Sequence, residues 1–182
     1  VDLSSFMDYM ICEIYSANSD VWNIQYYKVD GGKWKWIYYD FCWSFGSSAN
    51  QYDHQTLSIR RQSIKPCSDL FNALLKVPSW QDAFCRRFAE ILKTVYAPER
   101  VNALIDELYA ETEPEIARER EKFNGSTWLG VKQPDVNISS YDTFVKHVEI
   151  MREFARKRPE SLKKQIQKEF GLSDAYMQEV FG

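Results

Sequence analysis

Apolar positions in residues 3–17, "LSSFMDYMICEIYSA", recur at helical spacing, with Phe6, Met7, Met10 and Ile14 on one stripe. Asn18, Ser19 and Asp20 then end the helix, because their side chains compete for backbone hydrogen bonds. "NIQYYK" and "KWKWIYY" switch to strand character, and Lys33, Trp34, Lys35 and Trp36 alternate. "VDGG" between them predicts a hairpin, with glycine available where the turn needs positive φ. The second strand is expected to end at Asp40, and residues 41–65 to be irregular, "GSSANQYDHQ" being the most loop-like part.

Beyond Pro66 the pattern is helical. Ser68 is expected to cap "DLFNALLKV", and Ser79 to cap "WQDAFCRRFAEILKTVY", where Phe84, Phe88, Ile91 and Val95 share a face. Pro98 suits the first turn of the next helix, whose stripe is Val101, Leu104, Ile105 and Leu108. A break near Pro114 precedes "EIAREREKF", and "NGSTWLGVKQPDVNIS" reads as loop. Ser140 opens a helix carrying Phe144, Val148, Met151 and Phe154, which Pro159 should stop near Arg158. Leu162, Ile166 and Phe170 mark a separate helix ended by Gly171, and Ser173 caps a short last one. The resulting fold class is mainly α with a small antiparallel β-hairpin.

Composition changes once, near residue 66. The hairpin and loop acids lie before it; helices dense in Lys, Arg and Glu lie after it. The reading is one domain over 1–182, with hairpin and site loops in 1–65 and helical support in 66–182. A hydrophobic share of 45% argues for a folded globule. The net charge of -3 leaves no footprint for nucleic acid or an anionic membrane, and no apolar run approaches a bilayer span. "VDLSSFMDYM" has no signal-peptide pattern, although the chain does not begin with Met and the compartment stays open. Cys12, Cys42, Cys67 and Cys85 form no C-x-x-C pair, which disfavours zinc, and their apolar neighbourhoods suggest buried free thiols.

The candidate chemistry sits around the hairpin in "NSDVWNIQYYKVDGGKWKWIYYDF". An Asp in a loop after a helix can orient or deprotonate a hydroxyl. An Asn close by can hold a magnesium ion without adding charge. A second Asp at the end of a neighbouring strand can hold the same ion against a nucleotide's phosphates. Asp20, Asn23 and Asp40 occupy those positions, and a hairpin fixes the separation of its ends. The same residues equally suit ordinary turns and a strand-end cap.

The stretches "FMDYMICEIYSANSDVWNIQYYK", "GKWKWIYYDFCWSFG", "LFNALLKVPSWQDAFCRRFAEILKTVYAPERVNALIDELYAETEPEI" and "MREFARKRPESLKKQIQKEFGL" together resemble the C-terminal part of the spore-coat CotH kinases, a family of atypical protein kinases. The resemblance implies a diverged protein-kinase-like C-lobe. It also implies transfer of the ATP γ-phosphate to Ser or Thr of a protein substrate, with Mg²⁺ or Mn²⁺. Asp20 matches the catalytic Asp of the family's N-x-D motif, Asn23 the metal-binding Asn that follows it, and Asp40 the metal-binding Asp of W-D-x-D-x-x-F-G.

Three departures qualify this picture. "DVWNI" is shorter than the family's usual segment after the first Asp. Cys42 replaces the second acid of D-x-D, and a thiol is a poor ligand for a hard cation. The chain opens almost at the catalytic helix, so ATP and metal are expected in the intact parent only and this portion is expected to be inactive alone. The alternative is a non-catalytic binding or scaffold module on a kinase-like helical fold.

Four further features have plainer readings. Trp34, Trp36, Tyr38, Tyr39 and Trp43 are expected to pack against helices rather than stack on a ligand. Arg60–Arg61 reads as a solvated pair, with a phosphorylated substrate segment as the sharper option. "REFARKRPESLKK" is expected to cover an outer helix face. His54 is expected in an exposed loop.

Overall fold

The computed structural model describes residues 1–20, 22–46, 51–62, 67–123, 127–128, 131–132 and 140–182. It is mainly helical with a small antiparallel hairpin, as the hydrophobic pattern predicts. Helix α1 (Leu3–Tyr15) starts at Asp2, whose carboxylate accepts the Ser5 N–H at 3.1 Å. Its stripe is buried as expected: Phe6, Met10 and Ile14 are inaccessible and Met7 packs at the edge. Strands β1 (Gln25–Tyr27) and β2 (Lys35–Ile37) pair with Tyr26 opposite Trp36. The second strand stops three residues before Asp40 (37 against 40), because Asp40 adopts a left-handed φ of 53° that no strand can continue.

Helix α2 (Thr56–Gln62) lies in the stretch expected to be irregular. Its signal is hidden, since only Thr56, Leu57 and Arg60 are buried in seven residues. Helix α3 (Cys67–Leu75) begins at Cys67, so Ser68 lies inside its first turn, buried, and is not its cap. Pro66, the expected boundary, lies outside the described residues. Helix α4 (Pro78–Lys93) opens on Pro78 without a side-chain cap, which places Ser79 inside it and leaves Val95 beyond its end, exposed. Proline fits there because the first-turn N–H has no helical partner to lose.

Helix α5 (Pro98–Thr112) starts at Pro98 as expected. Val101 and Ile105 are buried, while Leu104 and Leu108 face solvent. A 3₁₀ turn at Glu113–Glu115 carries Pro114 and leads into α6 (Ile116–Phe123). Within the stretch expected as loop, β3 (Thr127–Trp128) and β4 (Val131–Lys132) form a short antiparallel pair; the rest of that stretch lies outside the described residues. Among the described residues, no helix is long and apolar enough to cross a membrane.

The largest correction concerns Pro159. Helix α7 (Tyr141–Phe170) runs through it as one 30-residue element, capped at Ser140 and ended by Gly171 at φ 62°. Leu162, Ile166 and Phe170 therefore continue α7. Proline removes the bond to the Ala155 carbonyl, yet Ala155, Arg158 and Pro159 are all buried. Tertiary contacts outweigh the local penalty, and the main ones come from Arg158. Its guanidinium is fully buried and spends five N–H bonds on four carbonyls and a hydroxyl. The acceptors are Tyr15 O (3.0 Å), Ile14 O (2.6 Å), Tyr52 O (2.7 Å), His54 O (2.8 Å) and Thr56 Oγ1 (3.0 Å). Arg158 is thus a structural element, not part of an outer basic face. Helix α8 (Asp174–Phe181), capped by Ser173, closes the chain against α4 and α7.

One buried cluster takes residues from α1–α5, α7 and α8, including Phe6, Leu57, Phe71, Phe84, Ile105, Phe154, Ile166 and Phe181. The prediction is that Arg158→Met lowers stability by about 3–5 kcal/mol in urea unfolding, because it orphans the carbonyls that share the guanidinium. Arg158→Lys is expected to recover only part, since an ammonium lacks the planar fork of five donors.

Candidate active site

The site starts from the way α1 ends. The Asn18 N–H reaches Glu13 O at 3.2 Å and the Ala17 N–H reaches Ile14 O at 3.4 Å, around Ala17 at φ 56°. This is a Schellman ending with alanine where glycine is usual, so the turn is held against local preference. It places Asn18 at 1% exposure. The Asn18 Oδ1 accepts the Asp20 N–H at 3.0 Å, and its Nδ2 donates to Glu13 Oε2 at 2.9 Å and to Asp40 O at 3.5 Å. The Asp20 carboxylate itself accepts the Trp22 N–H at 3.2 Å.

The hairpin then returns the chain to the same end of α1. Phe45 N–H bonds to Ser16 O at 2.9 Å and Ser19 N–H to Trp43 O at 3.2 Å. Residues 16–20 and 40–45 are therefore stitched along their backbones. Phe45, at φ 50°, packs its ring 5.1 Å from that of Phe154 and 5.9 Å from that of Tyr15. Gly46 has φ 86°, and a Cβ there would meet Ile150 Cγ2 at 2.6 Å, so glycine is required on both counts. Ala17, Asp40 and Phe45 are the described non-glycine residues with positive φ, and all three lie in these two segments. Strain of about 1–3 kcal/mol each persists only where surroundings fix it, and it concentrates at functional sites.

Of the three sequence-predicted site residues, the structure brings two into contact. Asn23 Nδ2 donates to Asp40 Oδ2 at 2.8 Å. Asp20 sits on the adjoining turn and touches neither, though its charge is near enough to help raise the pKa of Cys42. Cys42 donates its S–H to Asp40 Oδ1 at 2.9 Å. That hydrogen bond, ahead of slight burial and the carboxylate's charge, raises the thiol's pKa above its ordinary value. Among the described residues, no three His, Cys, Asp or Glu side chains group as a metal site. A cation here would have to use the Asn23 amide oxygen beside the Asp40 carboxylate, an oxygen donor pair suited to a hard ion.

Sequence reasoning missed Glu13 and Arg60 behind the site. Arg60, from α2, is buried and donates from Nη2 to Glu13 Oε2 at 2.6 Å and to Asn18 O at 3.2 Å. It is not solvated, and Arg61 is engaged too, with Glu169 Oε1 at 2.5 Å and Asn72 Oδ1 at 3.1 Å. Neither is free for a phosphorylated segment. Burial pushes the Glu13 carboxyl pKa up, against the pull of Arg60. A signal did exist: Glu13 follows Phe6 and Met10 by seven and three residues, which puts an acid on the apolar stripe of α1.

Three other expectations change. Trp36 packs on Phe6 at 4.7 Å between ring centres, but Trp34, Tyr39 and Trp43 are exposed rather than core. His54 is half-buried, with Nδ1 2.8 Å from Thr56 Oγ1, and burial lowers its pKa. The four cysteines are free, Cys67 and Cys85 buried as expected and Cys42 exposed.

A family model described as CotH kinase protein matches residues 1–162. No curated protein and no solved structure matches the chain.

A thiol held in its protonated form reacts slowly. Alkylation of Cys42 at about pH 8 is expected to lag that of an unstructured cysteine peptide. It should accelerate in Asp40→Asn, as followed by peptide mass spectrometry.

Proposed function

We propose, from the premise that this chain belongs to the CotH kinase family, that it carries the phosphotransfer site of a diverged kinase-like C-lobe. The reaction is transfer of the ATP γ-phosphate to a serine or threonine hydroxyl of a protein, with Mg²⁺ or Mn²⁺. The observation that carries the reading is the Asn23–Asp40 contact of 2.8 Å, set beside the Asp20 turn by the stitched backbones of 16–20 and 40–45.

In this reading the acceptor hydroxyl gives its proton to the Asp20 carboxylate as its oxygen bonds to the γ-phosphorus. The bond from that phosphorus to the β–γ bridging oxygen breaks, and ADP leaves. Asn23 and Asp40 would hold the cation through oxygen atoms. When bound, that ion supplies charge neutralisation at the phosphates. Asn18 keeps the Asp20 backbone in place through the 3.0 Å bond to its N–H. Cys42 adds no hard ligand; its S–H tethers Asp40 instead.

A second reading, a non-catalytic binding or scaffold module, is favoured by one observation: both Asp40 carboxylate oxygens are engaged, by Asn23 and by Cys42. Radiolabelled phosphate transfer by the intact protein separates the two. Asp20→Ala is expected to lower transfer by about 10²–10⁴-fold, and Asp40→Ala to abolish it, with circular dichroism unchanged. Full transfer in either folded variant overturns the catalytic reading. Millimolar Mg-ATP should raise the melting temperature; saturation at 100 times Kd corresponds to about 2.7 kcal/mol. Absence of any shift favours the scaffold.

A further inference from the structure

Among the ion pairs of the described residues, Glu13–Arg60 alone has both side chains buried, at 3% exposure each. Such a pair is a poor stabiliser, because desolvating two charges offsets their attraction, and an apolar pair of similar volume is often as stable. Arg60 makes the case sharper, since its buried Nε has no hydrogen-bond partner. The pair is not arranged for maximal stability.

What it does is grip one residue. Glu13 Oε2 accepts the Asn18 side-chain amide at 2.9 Å, and Arg60 Nη2 donates to the Asn18 backbone carbonyl at 3.2 Å. The Asn18 backbone N–H is held as well, by Glu13 O at 3.2 Å. With its backbone and inner amide hydrogen fixed, Asn18 turns its remaining capacity outward. Its Oδ1 takes the Asp20 N–H, and its Nδ2 also reaches the carbonyl of Asp40, 22 residues further along. One buried side chain thus spans both acid-bearing segments, and a third element, α2, supplies the cation behind it.

We propose that Glu13 and Arg60 are positioning residues: acting through Asn18, they fix the Asp20 turn relative to Asp40. The inference rests on the reading of those two acids as the phosphotransfer pair. Its structural content is independent of activity.

The test is amide hydrogen exchange by NMR on the whole chain, with the double variant Glu13→Leu/Arg60→Met. The apolar pair keeps the helices packed. Exchange at the Asp20, Ser19 and Phe45 amides is expected to rise about tenfold, the equivalent of one charge-assisted hydrogen bond, with core amides of α4 and α7 unchanged. Unchanged exchange at Asp20 in the folded double variant overturns the proposal. Should that variant fail to fold, Glu13→Gln decides by the same readout, since it keeps the shape and removes the charge. In the wild type the Asp20 amide should already be protected; free exchange there overturns the proposal outright. Phosphotransfer kinetics give the functional arm, with kcat expected to fall while KM for ATP holds; a fall in both to the same extent as core stability marks a merely structural pair. An intact wild-type protein that transfers no phosphate sinks the catalytic reading, while the exchange data on this chain still decide the clamp.

Discussion

Every α-helix ends with carbonyls that lack helical partners, and a buried end must find donors elsewhere. At the end of α1 the turn through Ala17 and Asn18 serves Glu13 O and Ile14 O, and one guanidinium takes Tyr15 O and Ile14 O as well. Arg158 takes Ile14 O and Tyr15 O with two of its groups, and with the remaining hydrogens it ties down Tyr52, His54 and Thr56. Burial disfavours the charged form of Arg158, and the five acceptors compensate. The turn of Ala17, the Asn18–Asp20 segment and the start of α2 all depart from this point. The long helix that supplies Arg158 tolerates an internal proline next to it. Without that set of bonds, the carbonyl of buried Tyr15 at the end of α1 would lose the donor that Arg158 supplies.

From this anchor the site is built in two layers. The outer layer is the hairpin and its flanking acids, where Asn23 meets Asp40 and Cys42 holds the other carboxylate oxygen. Behind it lie Glu13, Asn18 and Arg60, almost without water. Low dielectric makes polar contacts in such a layer strong and their loss costly. Three left-handed residues in two short segments show that local preference yields here to the surroundings. A hairpin alone would not hold its two ends in this relation. Backbone bonds from Ser16, Ser19, Trp43 and Phe45 do so.

Much of the fold was legible because its signals are local. The stripe of α1, the Gly-bearing turn, Pro98, Ser140, Gly171 and Ser173 each act through neighbours within a few residues. The failures share a cause at longer range. Pro159 should stop a helix by local rules, but its neighbour's contacts lie more than a hundred residues away, with separations of 143 and 144 to Tyr15 and Ile14. Arg60 and Arg158 looked like solvated charge because their partners, a carboxylate on α1 and a set of carbonyls, are invisible in a charge count. Seven residues with three buried positions gave α2 too little pattern to register. The aromatic strand misled in the opposite direction: Trp36 finds Phe6, while Trp34, which meets the ring of Tyr26, and Tyr39 and Trp43 stay exposed. At the site, Asn23 meets Asp40 while Asp20 stays on its own turn. Asn18 looked like a mere helix stop, though its spacing two before Asp20 is what lets its side chain cap the Asp20 amide.

The separation between Arg158 and its acceptors also bears on the order in which the molecule folds. Asp20, Asp40 and the Glu13–Asn18–Arg60 set all lie between positions 13 and 60. Their shape depends on a side chain that lies about a hundred positions later. Loop closure over such a span is slow compared with helix formation. The Arg158 bonds to Ile14 O and Tyr15 O form only once α7 has docked. The arrangement around Asp20 and Asp40 therefore closes only after a segment about a hundred positions further along has docked.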